Sequence, residues 1–262
     1  MTTPNQGASF DTPLFLQLLR QRGCRLGEPF SYLIETTSTN DVAKDAARRG
    51  APPGATFLAD QQTAGRGRRG RPWHARASES LLFSVLLDST LRADELSALT
   101  LAVGLGVRQA ISELTKRELR LKWPNDVLFE GRKLAGILVE TDVSSRPRRI
   151  IAGIGVNVST ACFPEELASI ATSLRQMGSE LPRETLLAAL LTAIEGWVAT
   201  LEQGDLAHVA SEVRRFDALL GRQLQVEGVQ GIGRGIDPAG NLLVETDGEI
   251  RAVGSGTVEI QR

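Results

Sequence analysis

Cysteine and histidine are nearly missing from this sequence of 262 residues: there are two of each, Cys24, Cys162, His74 and His208, and no two stand at metal-ligand spacing. That excludes a disulfide framework and a structural zinc site built from those residues. Net charge is lacking too, with 30 basic residues against 31 acidic ones, so no global field draws the chain to nucleic acid or membrane. Aromatics amount to three Trp, one Tyr and eight Phe, which is poor material for the base-stacking surface of an RNA-binding module. No uninterrupted apolar run approaches the roughly 20 residues of a membrane span, and the first dozen residues lack the basic start and apolar stretch of a secretory signal. The expectation is a cytoplasmic protein.

What is present is 42% hydrophobic and 23% charged residues, enough apolar mass for one large domain with a small appendage. Residues 1–12 read as polar and frayed, and Pro13 opens a short helix ending near Gly23. Strands are expected over 30–35, 56–60, 81–87, 119–123, 126–129, 134–141 and 149–158. A helix with one buried face spans 94–114, others cover roughly 186–201 and 205–216, and Ser38 with Asp41 resembles a further helix start. Beyond Gly221 short runs alternate with turn signals, Pro238-Ala239-Gly240 and the hairpin dipeptide Asp247-Gly248, which marks a small β module expected to pack against the main domain. The resulting division is an extension over 1–28, a main domain over 29–218 and the β module over 219–262.

One segment stands out chemically. Gln61 to Trp73 contains Arg66, Arg68, Arg69 and Arg71 without an acid, and concentrated positive charge with glycines suits an anionic, phosphate-bearing ligand. Gly65, Gly67 and Gly70 satisfy G-x-G-x-x-G, but Pro72 and a strand follow where a dinucleotide-binding turn needs a helix, so that reading is rejected. The phosphate loop of P-loop enzymes fails as well, for want of a Gly-Lys-Ser or Gly-Lys-Thr. A solvated arginine-rich surface loop is the bland alternative.

The motif Lys122-Trp123-Pro124-Asn125-Asp126, continued by Arg132-Lys133-Leu134-Ala135-Gly136-Ile137-Leu138-Val139-Glu140, decides against it. With the arginine-glycine loop, Ser38-Thr39-Asn40, Gly153-Ile154-Gly155-Val156-Asn157 and Gly233-Arg234-Gly235-Ile236-Asp237, it resembles the ordered motifs of biotin protein ligases over about residues 30–262. The resemblance implies an α+β fold: a mixed sheet with flanking helices, of the class II synthetase type, followed by a small SH3-like β-barrel. It implies formation of biotinyl-5′-AMP from biotin and ATP with Mg²⁺, and transfer of biotin to a lysine of a biotin carboxyl carrier protein, the biotinyl domain of a carboxylase. Lipoate-protein ligase, related in fold, is the nearest rival.

Residue roles follow from matching chemistry to motif. The ureido ring of biotin needs donors and acceptors, which the resemblance assigns to Ser38, Thr39, Asn40 and Gln62 with backbone around Gly65, Arg66 and Gly136; Ser38 is alternatively a helix cap. Meeting of a carboxylate with a triphosphate calls for cations, so Arg68 and Lys133 are the expected catalytic pair, and Lys133 also touches biotin. Arg68, Arg71, Lys122, Asn125, Asn157 and Arg234 are expected at the ATP, with Trp73 stacked on adenine. Asp126 is expected to accept the proton of the carrier lysine or to hold it, against a plain turn-fixing role. No metal ligands are assigned, because Mg²⁺ rides on phosphates and water. With fewer than 40 residues before Ser38, no DNA-binding domain or repression is expected. The strand after Lys133 is read as an edge able to pair with the carrier or with a second copy in a homodimer.

Overall fold

The computed structural model describes residues 9–88, 95–142 and 149–261. Its first helix, α1 (Thr12–Gln21), is capped by Asp11, whose Oδ1 accepts from the Leu14 amide at 2.9 Å. Phe15 and Leu19 face inward and are fully buried. The expectation of a frayed start fails at Phe10, which is 4% exposed and packs in tilted contact with Phe15, Phe30 and Tyr32 at ring separations of 5.6–5.8 Å. An aromatic ring buries enough apolar surface to fix the polar residues beside it.

Seven strands form one sheet: β1 (Phe30–Thr36), β2 (Thr56–Gln62), β3 (Ser80–Asp88), β4 (Arg120–Lys122), β5 (Asp126–Phe129), β6 (Arg132–Asp142) and β7 (Arg149–Asn157). Their order is β1-β2-β3-β7-β6-β5-β4, with β1 and β2 parallel and every other pair antiparallel. Helices α2 (Thr39–Arg48), α3 (Leu96–Thr115), α4 (Glu165–Ala168), α5 (Arg183–Glu202) and α6 (Leu206–Arg215) complete the domain. The expected start of α3 at Asp94 lies outside the described residues.

Alternation along β3 explains the layering. Leu81, Phe83, Val85 and Leu87 enter the large core under α3 and α5, while Leu86 joins Ala43, Ala46 and Ala47 of α2 on the other face. Helices α3 and α5 come close because Gly106 has no side chain: a Cβ there would lie 2.7 Å from the Ile194 backbone. Among the described residues α5 alone is long and apolar enough to cross a membrane by length and composition, although no unbroken apolar run marks it in sequence. Its Leu186, Leu187, Leu190, Leu191 and Ile194 are fully buried against the core.

The terminal module is a five-stranded antiparallel, SH3-like sheet of β8 (Gln223–Val226), β9 (Val229–Ile236), β10 (Leu242–Thr246), β11 (Glu249–Val253) and β12 (Val258–Ile260), in the order β11-β10-β9-β8-β12. Asp247 and Gly248 both take positive φ, as a two-residue hairpin of that composition requires. The module packs on the main domain: Leu224, Val226, Leu242 and Val244 belong to the same core, and Trp123 Nε1 donates to the Gly240 carbonyl at 3.0 Å. The strand after Lys133 is not an edge, because β6 lies between β7 and β5; β5 is short, however, and its register reaches only from Arg132 to Gly136.

Candidate functional site

Two adjoining cavities open where the first turn of α2, the ends of β2 and β5, and the middle of β6 and β7 meet. The inner one, about 40 Å³, is lined by Ser38, Thr39, Asn40, Gln62, Lys133 and Gly136 among others. Its polar groups already hold one another. Gln62 Oε1 accepts from the Thr39 amide at 2.7 Å and from Thr39 Oγ1 at 3.1 Å. Ser84 Oγ bonds to Thr39 Oγ1 at 2.7 Å and Asn40 Oδ1 at 2.6 Å, and Asn40 Nδ2 donates to Glu140 Oε2 at 2.7 Å. Ser38 stands at the cap position of α2 but makes no side-chain capping bond, so its buried hydroxyl remains a wall of the cavity.

Glycine is obligatory here. A Cβ on Gly153 would lie 2.1 Å from Asn40 Oδ1, and one on Gly136 or Gly155 would meet the Trp73 indole at 2.9 or 2.7 Å. The indole therefore lies directly on the sheet and narrows the inner cavity.

Arg66 lines the inner cavity, but its side chain is turned onto acids of α2 and β6. Its guanidinium forks onto Asp41 at 2.6 and 2.8 Å and reaches Glu140 at 3.5 Å. The hydrogen-bonded Arg66 holds the Asp41 carboxyl below the usual carboxylate range. The side chain thus ties the loop to α2 and β6 and is not a free cation for an anionic ligand. Gly65 supports the same anchoring through its carbonyl, which accepts from the Trp73 amide at 2.9 Å.

The outer cavity holds about 420 Å³ and gathers Arg68, Arg71, Trp73, Lys122, Asn125, Asp126, Lys133 and Asn157. Lys133 Nζ sits 2.6 Å from Asp126 Oδ1 and 5.3 Å from the Trp73 ring centre, so it lies at the seam of the two cavities, lining both. Burial, reinforced by neighbouring Arg69, lowers the proton affinity of the Arg68 guanidinium, and its Nη1 is buried without a protein partner. Such a donor is costly to bury unless a ligand oxygen meets it.

Asn125 serves mainly the backbone. It follows the cis Trp123–Pro124 peptide, and its Nδ2 donates to the Ile137 carbonyl at 2.8 Å while its own carbonyl accepts from the Ile137 amide at 2.9 Å. Asn157 likewise donates to the Thr172 carbonyl at 2.9 Å. Arg234 is not brought to the site. On β9 it pairs with Glu245 and lines neither cavity, since outward positions of a strand alternate with the inward ones that face the core.

Sequence reasoning missed Ser84, Asp41 and Glu140, the hidden partners of the inner cavity, and Thr257 of the terminal module, whose Oγ1 lies 3.3 Å from Arg71 Nη2. Glu140 alone carried a signal: a lone acid inside an apolar strand has to find a cation or donor. The arginine-glycine loop runs through a single 3-10 turn (Arg68–Gly70) to the Arg66–Pro72 bridge and enters β3 without a helix, which bears out rejection of the dinucleotide-binding turn.

The profile of the Biotin/lipoate A/B protein ligase family matches residues 31–157, and that of the Biotin protein ligase C terminal domain matches residues 220–260. The chain is 32% identical over 243 residues to the bifunctional ligase/repressor BirA of Bacillus subtilis, covering 90% of this chain and 75% of that protein. It is 36% identical to the biotin–[acetyl-CoA-carboxylase] ligase of Mycobacterium tuberculosis, covering 86% of each. Among solved structures, biotin protein ligase from Aquifex aeolicus in complex with biotin and ATP superposes with a TM-score of 0.78 at 30% identity, covering 90% of this chain and 99% of that one. A site built on two family motifs, inside a fold shared over nearly its whole length, places this chain in the biotin protein ligase family.

Proposed function

We propose that the inner cavity receives biotin and the outer cavity ATP, so that the biotin carboxylate meets the α-phosphate beside Arg68 and Lys133. The overall reaction is that of the family: biotin and ATP give biotinyl-5′-AMP and pyrophosphate, and the biotinyl group then passes to a lysine of a carboxylase. The observation that carries the division of roles is the position of Lys133, shared by both cavities, opposite a buried and unpartnered Arg68 donor. Two anions approach each other there, and fixed cations lower the electrostatic part of the barrier.

Ser38, Thr39, Asn40 and Gln62 supply the ureido contacts, with Gly136 leaving room for the ring. Trp73 stands on Gly136 and Gly155, in the space assigned to the biotin ring, so it leaves the glycines as biotin enters; it then closes on the adenylate and stacks on adenine. Arg71, Lys122, Asn125 and Asn157 line the nucleotide side. Mg²⁺ accompanies ATP on phosphate and water oxygens. In transfer, the carrier lysine attacks the acyl carbon, AMP leaves with the bonding pair, and the lysine proton passes to Asp126, released from Lys133 as that cation turns to the phosphate.

The carrier is the biotinyl domain of a carboxylase, met in the cytoplasm, and the stretch of β6 after Leu138, past the pairing with β5 and the bonds of Asn125, is the place for it, or a second copy, to pair. ATP–pyrophosphate exchange with biotin and with lipoate as alternative acids tests the assignment. Exchange with biotin only is expected; exchange with lipoate only would transfer the chain to the lipoate branch of the same fold.

A further inference from the structure

The terminal module touches the arginine-glycine loop at two points. Arg69 Nη2 lies 2.6 Å from Glu227 Oε1, and Arg71 Nη2 lies 3.3 Å from Thr257 Oγ1. Glu227 sits in the tight turn between β8 and β9, with positive φ at both Glu227 and Gly228. Gly256 braces it: a Cβ on Gly256 would lie 2.8 Å from Glu227 Cγ and 2.7 Å from Val226 Cγ2, so only a bare backbone lets the glutamate stem rest there. Gly256 and Thr257 are also walls of the outer cavity, together with Arg68 and Arg71.

We propose that Glu227 is a positioning residue for adenylation: by gripping Arg69 it holds the arginine-glycine loop closed against the terminal module and so keeps the adjacent Arg68 aimed into the outer cavity. The inference rests on the functional reading above and assigns the module a part in it. The grip is an ion pair with both side chains about half exposed, 52% and 43%, which contributes little to global stability. Its effect is local. The loop turns at Arg69, a non-glycine residue at φ 57 followed by Gly70 at φ 72, a conformation that a free loop has no reason to keep. Adding an external partner to a two-state segment shifts its population without altering the fold.

The test compares wild type with Glu227→Gln, Arg69→Glu and the swapped pair Arg69→Glu/Glu227→Arg. Glu227→Gln is expected to raise KM for ATP about fivefold, with kcat and biotin affinity nearly unchanged and the melting temperature unmoved. The swapped pair is expected to recover to within about twofold of wild type, and added salt to weaken wild type more than Glu227→Gln. A readout independent of activity accompanies these: trypsin cleavage within residues 66–71, without any ligand, accelerates in Glu227→Gln. Equal KM and equal cleavage in wild type and Glu227→Gln would overturn the proposal, as would a swapped pair no better than Arg69→Glu alone. If wild type shows no exchange with biotin, the functional reading fails instead, while the cleavage comparison still decides the grip.

Discussion

The inner and outer cavities share a wall yet are built on opposite plans. Inside, Gln62, Thr39, Ser84, Asn40 and Glu140 form a continuous chain of hydrogen bonds, and Gly136, Gly153 and Gly155 set the shape by what they leave out. Outside, the cations come from a loop and from strand ends, and Arg68 keeps a buried donor without a partner. The difference teaches where each cost is met. Recognition of a neutral ring needs fixed donors and acceptors whose own orientation is locked, whereas stabilising charge that appears only during reaction needs cations held for that moment.

The sharpest way to break the comparison is at the seam. Lys133→Ala or Arg68→Ala should reduce biotinyl-adenylate formation roughly 10²–10³-fold, measured by pyrophosphate exchange, with only a small change in melting temperature. Near-normal exchange in either variant would remove that residue from the reaction. Next comes the rigid side: Gly153→Ala places a methyl group on Asn40 Oδ1 and should cost about 1–3 kcal/mol of stability together with biotin affinity, while the affinity for ATP alone is kept. Calorimetric titration with each ligand separates the two. Equal losses for both ligands would show that the cavities are not independent.

A smaller effect is expected at the joint between domain and module. Asp217 bridges to Leu121 and accepts from the Leu219 amide at 2.8 Å, but its Oδ2 is buried without a partner. Burial pushes its carboxyl from the ordinary 3.8 up to about 6. A raised folded-state value means that the folded chain holds the proton more tightly, so stability is full below about 3.8 and declines as pH rises to about 6. Asp217→Asn keeps the acceptor for Leu219, and should flatten that decline and add about 1–2 kcal/mol at pH 8. Denaturant melts at pH 4.5 and 8 check it; an unchanged slope between them would show that Asp217 does not titrate in this range. Last and slightest, Cys24 is raised to about 12 by burial and by Glu195, so thiol alkylation at pH 8 should modify exposed Cys162 and leave Cys24 intact.

Much of this was legible in the chain. Short continuous apolar runs marked β3 and β7, which are buried on both faces, and helical spacing marked α3 and α5, because burial leaves its pattern in the sequence. The Asp247-Gly248 hairpin was readable since few dipeptides accept positive φ twice. Phe10 was not readable as an anchor: a lone aromatic among polar residues has no period, and the rings that bury it lie on Phe15, Phe30 and Tyr32. The same holds for β6, read as an edge although β5 and β7 lie on either side, because neighbours across a sheet leave no mark within the strand itself.

By itself the sequence determined which residue types gather into motifs, and hence the two kinds of chemistry that the chain brings to one place: hydrogen-bonding groups for a neutral ring and cations for phosphate. Only the tertiary structure decided which of those cations are free. Arg66 and Arg68 are two residues apart in one loop, yet the first is bound by Asp41 and Glu140 and the second is not, while Arg234 faces away on another sheet. The reason is physical: a charged side chain acts through whatever stands within a few ångströms of it, and chain neighbours do not fix that distance.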